Sequence, residues 1–523
     1  MKPKTPRKRG FIPFALSLSK GTLNRTAGWS GFRQACPELR RRAQSERCEL
    51  FRVSRTALWL LPLGLAACAV GPQYRAPEAV TGVPAQFANA QPAGNVQAMP
   101  EAWWTLFKDP AIDRLVRDAL TRSPDLATAQ ASIRQARAAV DAVAGTRMPQ
   151  VNAGARIGHD QLSRNSENFA NVPFPNPKTG FTDYRLGFDA SWEIDLFGHT
   201  AHGIEAAQAR FEGVEEERRD IALRVAAEVT RNVVDYRALR QRLANAESMR
   251  ANSRELLRLV QLQRQAGVVA DAELARAQGA VHDAEAQLPP LEAAARASIA
   301  ALSVLVDQPY DDVAAVLQSS APVPPQPELA ATLMPSELLK RRPDVRRAER
   351  QLAAASAEVG VAVAEQYPRL SLVGSAGWDS LKVGTLTDSA SRYWSLGPQL
   401  SLPLFNGGRL QANVAGREAA RDAALAGYRK AVLAALADVE TALIRYRQEQ
   451  KRLVELEQSK QNRQRQADIA ERRYRVGETS ALEWIEARQQ LAALEDLRLA
   501  SMQQAANNAA ALFKALGGGV GGE

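Results

Sequence analysis

Few side chains in this chain could do chemistry. It has four histidines, His159, His199, His202 and His282. His199 and His202 lie three apart near a helix start, a spacing that puts both imidazoles on one face, as a metal pair would require. No further ligands follow at a spacing that completes a site, so neither a metal nor another cofactor is expected. No Gly-rich phosphate loop or nucleophile elbow occurs either, and the chain does not read as an enzyme. The other reactive groups are three thiols, Cys36, Cys48 and Cys68. Cys68 stands out because it ends the apolar run that begins Leu58-Trp59-Leu60-Leu61.

That run follows Arg52 and Arg55, ends in small residues and is too short to span a bilayer, which marks a secretory signal. Leu65-Ala66-Ala67-Cys68 resembles a bacterial lipobox. The resemblance implies cleavage before Cys68, diacylglycerol on its sulfur and an acyl chain on the new amine. Two or more chains are what stable anchoring requires. Ala69 is not Asp, so nothing resembles an inner-membrane retention signal. Residues 1–50 lie upstream of a complete signal, and after Met1 no further Met intervenes before it. The expectation is an upstream extension, with the true start near Val53. The mature chain would then keep no thiol for a disulfide, a metal or nucleophilic catalysis.

Charge points the same way. The formal net charge is +10, but residues 1–67 hold 14 Lys/Arg against three acids, leaving the other 456 residues at −1. The basic balance belongs to the leader, and a nucleic-acid partner is not expected.

The elements come in two copies. Ser123-Pro124-Asp125-Leu126 recurs as Arg342-Pro343-Asp344-Val345, and Arg147-Met148-Pro149-Gln150-Val151 as Gln366-Tyr367-Pro368-Arg369-Leu370, both 219 positions on. Gln265-Ala266-Gly267 recurs as Arg475-Val476-Gly477, and Glu273 as Glu483, both 210 on. A near-constant offset marks a duplicated unit. The expected division is a leader (1–67), an extended tether (68–102), a first repeat (103–306), a Pro-rich linker (307–332), a second repeat (333–516) and a Gly-rich tail (517–523).

Each repeat should hold two strands and two long helices. Tyr184, Leu186, Phe188, Ala190, Trp192, Ile194 and Leu196 alternate with Arg185, Gly187, Asp189, Ser191, Glu193 and Asp195. The same alternation runs through Val151–Ile157, Leu370–Trp378 and Trp394–Leu404. A transmembrane strand needs about 9–11 residues with one apolar and one polar face. From about Ala201 to Gln265 and from about Arg409 to Arg475 there is no proline. Either run, as a helix, spans about 100 Å. The return helix from 269 to 305 should kink or break at Pro289-Pro290.

These features resemble the outer membrane factors, the TolC-type exit ducts, and within them the NodT-like efflux lipoproteins. The pieces that carry the resemblance include Cys68-Ala69-Val70-Gly71-Pro72-Gln73-Tyr74, Trp103-Trp104-Thr105-Leu106-Phe107, Arg342-Pro343-Asp344-Val345, Leu402-Pro403-Leu404-Phe405, Arg473-Tyr474-Arg475-Val476-Gly477 and Phe513-Lys514-Ala515-Leu516-Gly517. It covers essentially all of 68–523.

It implies a mainly α fold with a membrane β-barrel: a homotrimer with four strands per chain, closing twelve strands in outer membrane lipid above a periplasmic helical barrel. It implies passive conduction of drugs or other small amphiphiles, with a periplasmic adaptor and an inner-membrane RND pump as partners. At the periplasmic tip it places a gate of Leu482, Glu483 and Glu486, closed-state ties at Tyr474 and Glu273, and adaptor-contact turns at Ala266-Gly267-Val268 and Arg475-Val476-Gly477. Some members carry a basic residue just after the second turn glycine; here Glu478 stands there, so Arg473 or Arg475 would have to supply the cation. The competing readings are a channel for secreted polypeptides and a coiled-coil lipoprotein scaffold without a pore.

Overall fold

The computed structural model describes residues 70–77, 83–84, 86–89, 100–163, 179–319, 321–327 and 340–518. Cys68 and the lipobox lie outside the described residues. Nine helices of eight or more residues occur among those described: α1 (Pro110–Arg122), α2 (Pro124–Gly145), α3 (His199–Gln265), α4 (Asp271–Ala286), α5 (Leu288–Val306), α6 (Tyr310–Leu317), α7 (Pro343–Ala364), α8 (Arg409–Arg475) and α9 (Ala481–Ala515). The strands are β1 (Gln150–Gln161), β2 (Gly180–Ile194), β3 (Arg369–Ser380) and β4 (Arg392–Ser401).

The duplication is metrical. α2 and α7 each have 22 residues and each begins with proline, which lacks the N–H that a first turn leaves unpaired. α3 and α8 each have 67 residues. The copies differ in their return helices. In the first, Pro289 and Pro290 fall in the opening turn of α5, so the rod is interrupted at Gln287. In the second, α9 runs unbroken for 35 residues.

The four strands form one antiparallel sheet in the order β1-β2-β3-β4. Its register keeps the faces apart. Ala155 pairs with Leu186, which pairs with Trp378. Ala153, Phe188, Ala376 and Trp394 form the next apolar row, and Val151, Ala190, Gly374 and Leu396 the one after. A slip of one residue would mix the faces. The apolar face is bare: Phe188 is 54% exposed, Leu400 68% and Trp394 80%. Across the polar face Arg185 pairs with Asp379 at 2.8 Å, and the Ser375 and Ser395 hydroxyls meet at 2.8 Å. β4 ends at Ser401, three residues short of the alternation in the sequence, because its partner there, Arg369, is the first residue of β3.

The core lies midway along the helices, where the segment around Trp103 meets the last turns of α9. Trp103 and Phe107 are fully buried; Trp103 stacks on Phe513 with centroids 5.3 Å apart, and Phe107 meets the same ring edge-on. Two of the short motifs read from the sequence thus pack face to face. The stretch expected as a linker contains α6, which Asp311 and Asp312 favour in the first turn and which buries Val313 and Leu317. The stretch expected as an extended tether is docked where it is described. Val70 N–H donates to the Phe197 carbonyl (3.1 Å), Phe87 is buried in the core, and Ala88 N–H donates to Glu440 (2.6 Å).

Beside this core Arg342 is buried and fully used. Its guanidinium donates to both carboxylate oxygens of Asp344 (2.9 and 2.7 Å), to Asp438 (3.1 Å) and to the Ala515 carbonyl (3.1 Å). Burial alone would raise the Asp344 carboxyl, but the Arg342 fork outweighs it and holds the group below its ordinary value of 3.8. A depressed carboxylate stabilises the fold above its unfolded pKa and stops doing so as pH falls through the folded one. Arg342→Ala should therefore cost about 1–3 kcal/mol, by leaving the half-buried Asp344 carboxylate and the Ala515 carbonyl without their donor. Asp344→Asn should flatten the loss of stability below about pH 4. Urea midpoints followed as a function of pH check both expectations.

Candidate functional site at the helical tip

The tip is built by two matching turns. α3 is followed by its cap residue Ala266, and Gly267 takes φ 73°; α8 is followed by its cap residue Val476, and Gly477 takes φ 78°. A side chain is strained in that left-handed region, so glycine suits both positions. Each turn closes with the same pair of bonds. Gly267 N–H donates to Arg264 O (3.0 Å) and Val268 N–H to Gln263 O (2.9 Å); Gly477 N–H donates to Tyr474 O (3.0 Å) and Glu478 N–H to Arg473 O (2.9 Å). The turns present exposed valines, Val268 at 72% and Val476 at 70%.

After the second turn, Ser480 caps α9 by accepting from the Glu483 N–H (3.2 Å). Ile485 then buries against Leu256, Val260 and Ala277 and fixes the helix to α3 and α4. Leu482, Glu483 and Glu486 are left on the open side. Glu483 and Glu486 share a cleft of about 520 Å³ with Arg465, Arg473 and Gln490. Arg473 sits between two acids, 3.7 Å from Glu478 and 3.7 Å from Glu483, and the Thr479 hydroxyl donates to Glu483. All three charged side chains are about half exposed, so within one chain these pairs are worth at most about 1 kcal/mol each. Among the described residues no ion pair is found for Glu486. The cleft is of mixed charge, not purely acidic.

The remaining expected residues are placed as follows. Arg475 is spent on Glu471 one turn back on its own helix, so Arg473 is the cation beside Glu478. Tyr474 stacks on Trp484 at 5.0 Å and 8°, and Arg488 covers that indole at 5.4 Å. Glu273 pairs with Arg276 on its own helix at 3.0 Å. Within one chain, therefore, Tyr474 and Glu273 are not joined to each other. The sequence reading missed Trp484, although an aromatic ten residues after Tyr474, across a turn, is a signal for such a stack.

Away from the tip, His202 donates from Nε2 to the Val70 carbonyl (3.0 Å) and faces Glu205 through Nδ1, while His199 faces Glu193. The two histidines are used separately. No group of three or more His, Cys, Asp or Glu among the described residues could hold a metal ion.

Comparison with known proteins gives this geometry a family. The model of the outer membrane efflux protein family matches residues 115–306 and 334–518. The pyoverdine export outer membrane protein OpmQ of Pseudomonas aeruginosa is 33% identical over 423 residues, covering 80% of this chain and 87% of its own. Nodulation protein T of Rhizobium leguminosarum bv. viciae is 29% identical over 476 residues, covering 89% of this chain and 93% of its own. The outer-membrane channel OprN superposes with a TM-score of 0.77 at 33% identity, over 86% of this chain and 99% of that one. With two matched repeats, a sheet whose apolar face is bare and helices of about 100 Å, the chain belongs to the outer membrane efflux protein family and is an outer membrane efflux channel.

Proposed function

We propose that three copies of this chain form a lipid-anchored exit duct, gated at the helical tip and opened by a periplasmic adaptor and an RND-type pump. The observation that carries the reading is the sheet: four strands, an apolar face without a partner among the described residues, and β1 and β4 each paired on one side only among them. Lipid does not satisfy an open strand edge, so the sheet must close, and twelve strands make a barrel of ordinary size. Three copies supply them.

The helices below would then line a tunnel ending at the two turns. Exposed Val268 and Val476 beside Gly267 and Gly477 suit an apolar grip by an adaptor. Threefold repetition would bring six carboxylates, from Glu483 and Glu486, to one aperture beneath Leu482; Arg473 offsets Glu483, so the preference for cations would rest mainly on Glu486. The half-exposed ion pairs of Arg473 are weak enough to break when the tip is pulled apart. The cargo would be drugs or other small amphiphiles, in keeping with a relative named for pyoverdine export. The lipid would be carried by Cys68 in the sequence Leu65-Ala66-Ala67-Cys68.

Single-channel conductance in planar bilayers tests the gate. The wild type should show a small, cation-preferring conductance, and Glu483→Ala/Glu486→Ala should enlarge it or abolish the preference. Identical conduction by both would place the gate elsewhere. Palmitate labelling in cells tests the anchor: label should enter the wild type and be lost from Cys68→Ala. An equally labelled Cys68→Ala protein would refute lipidation at that residue.

A further inference from the structure

The polar face of the sheet carries a row with almost no side chains. Gly154 pairs with Gly187, Gly187 with Gly377, and Gly377 with Tyr393, one residue from each strand in order. The middle pair approaches so closely that no Cβ fits. At Gly377 it would lie 2.3 Å from the Leu186 carbonyl oxygen and 2.6 Å from the Gly187 Cα. At Gly187 it would lie 2.6 Å from the Tyr393 hydroxyl oxygen and 2.9 Å from the Ala376 carbonyl oxygen. The Tyr393 side chain therefore starts on β4, crosses β3 and ends against the backbone of β2. Arg185, held by Asp379 at 2.8 Å, stands over the same ring at 5.8 Å.

This site lies on the seam of the duplication. β1 and β2 belong to the first repeat, β3 and β4 to the second, and the β2–β3 pairing alone joins the two hairpins within the sheet. Glycines in a sheet interior weaken it, since they bring no side chain to pack and order a freer backbone. An aromatic ring laid across them restores the missing contact.

We propose that Tyr393 is a clasp that fastens the second hairpin to the first, with Gly187 and Gly377 as its seat and Arg185 as its cover. Because the ring lies along the sheet, the clasp closes the seam without projecting a side chain into the space the polar face encloses. The contact is made by the ring, and the hydroxyl only marks where it ends.

The test reads assembly and not transport, so it stands apart from the gate. Full-length protein is expressed with its own signal, and the folded, heat-modifiable fraction in the outer membrane is measured together with its resistance to urea. Tyr393→Ala should lower the folded fraction several-fold and Tyr393→Phe should keep it at the wild-type level. Gly187→Ala should lower it in the wild type, and by a smaller factor in the Tyr393→Ala background, since the two residues act on one contact. Wild-type levels of folded Tyr393→Ala would overturn the proposal. So would an equal loss from Gly187→Ala in both backgrounds, because the glycine would then serve only its own backbone.

Discussion

A strand edge in hydrocarbon cannot be left unpaired, and this chain carries two of them. Each unpaired N–H or C=O there costs several kcal/mol, with no water to compensate. The four-stranded sheet is thus an incomplete object by itself. Its coherent register makes the incompleteness consistent: the two central apolar rows continue across all four strands, so further copies could extend the same face. The proposed threefold closure follows from that demand, and the tip inherits the symmetry the sheet requires.

The helical part answers a different constraint. Helices 67 residues long cannot wrap around one globular core. They are fixed at intervals instead. One fixing point is the aromatic knot of Trp103, Phe107 and Phe513 beside the Arg342 fork. Another is the seam between α3 and α7, where Glu216, Glu217 and Glu212 meet Arg346 (2.7 Å), Arg347 (3.1 Å) and Arg350 (2.8 Å). The third is the small cluster under Ile485 at the tip. Between the aromatic knot and the tip the rods touch through small clusters, such as Leu243 and Ala246 against Leu288.

How much of this was legible in the sequence depended on how local the cause was. The strands were readable because two solvents, apolar and aqueous, impose a period of two on the residues between Tyr184 and Leu196. The long helices were readable from the absence of proline, and the tips from their glycines. Arg342 was visible only as part of a motif. Its function rests on Ala435, Asp438 and Ala515, which lie 93, 96 and 173 residues away. The docked segment before Trp103 was hidden because the one residue buried among those described there, Phe87, gives no pattern in a stretch of Pro, Gly, Ala and Gln. The residues at the tip were placed through family resemblance, and two acids three apart would not have drawn notice otherwise. Within one chain they prove to share their cleft with two arginines, which spacing along a helix does not reveal.

The two hairpins of the duplicated unit differ in their return rods. The descending rods are equally long, but one returns through a helix of 35 unbroken residues and the other through two helices that meet at Gln287. Gln287 itself keeps helical angles (φ −76°, ψ −22°), so the axis carries on; what Pro289 and Pro290 remove is two N–H donors and the bonds they would make. A rod with fewer such bonds bends at lower cost, so a pull on the Gly267 turn would meet less resistance than the same pull on the Gly477 turn.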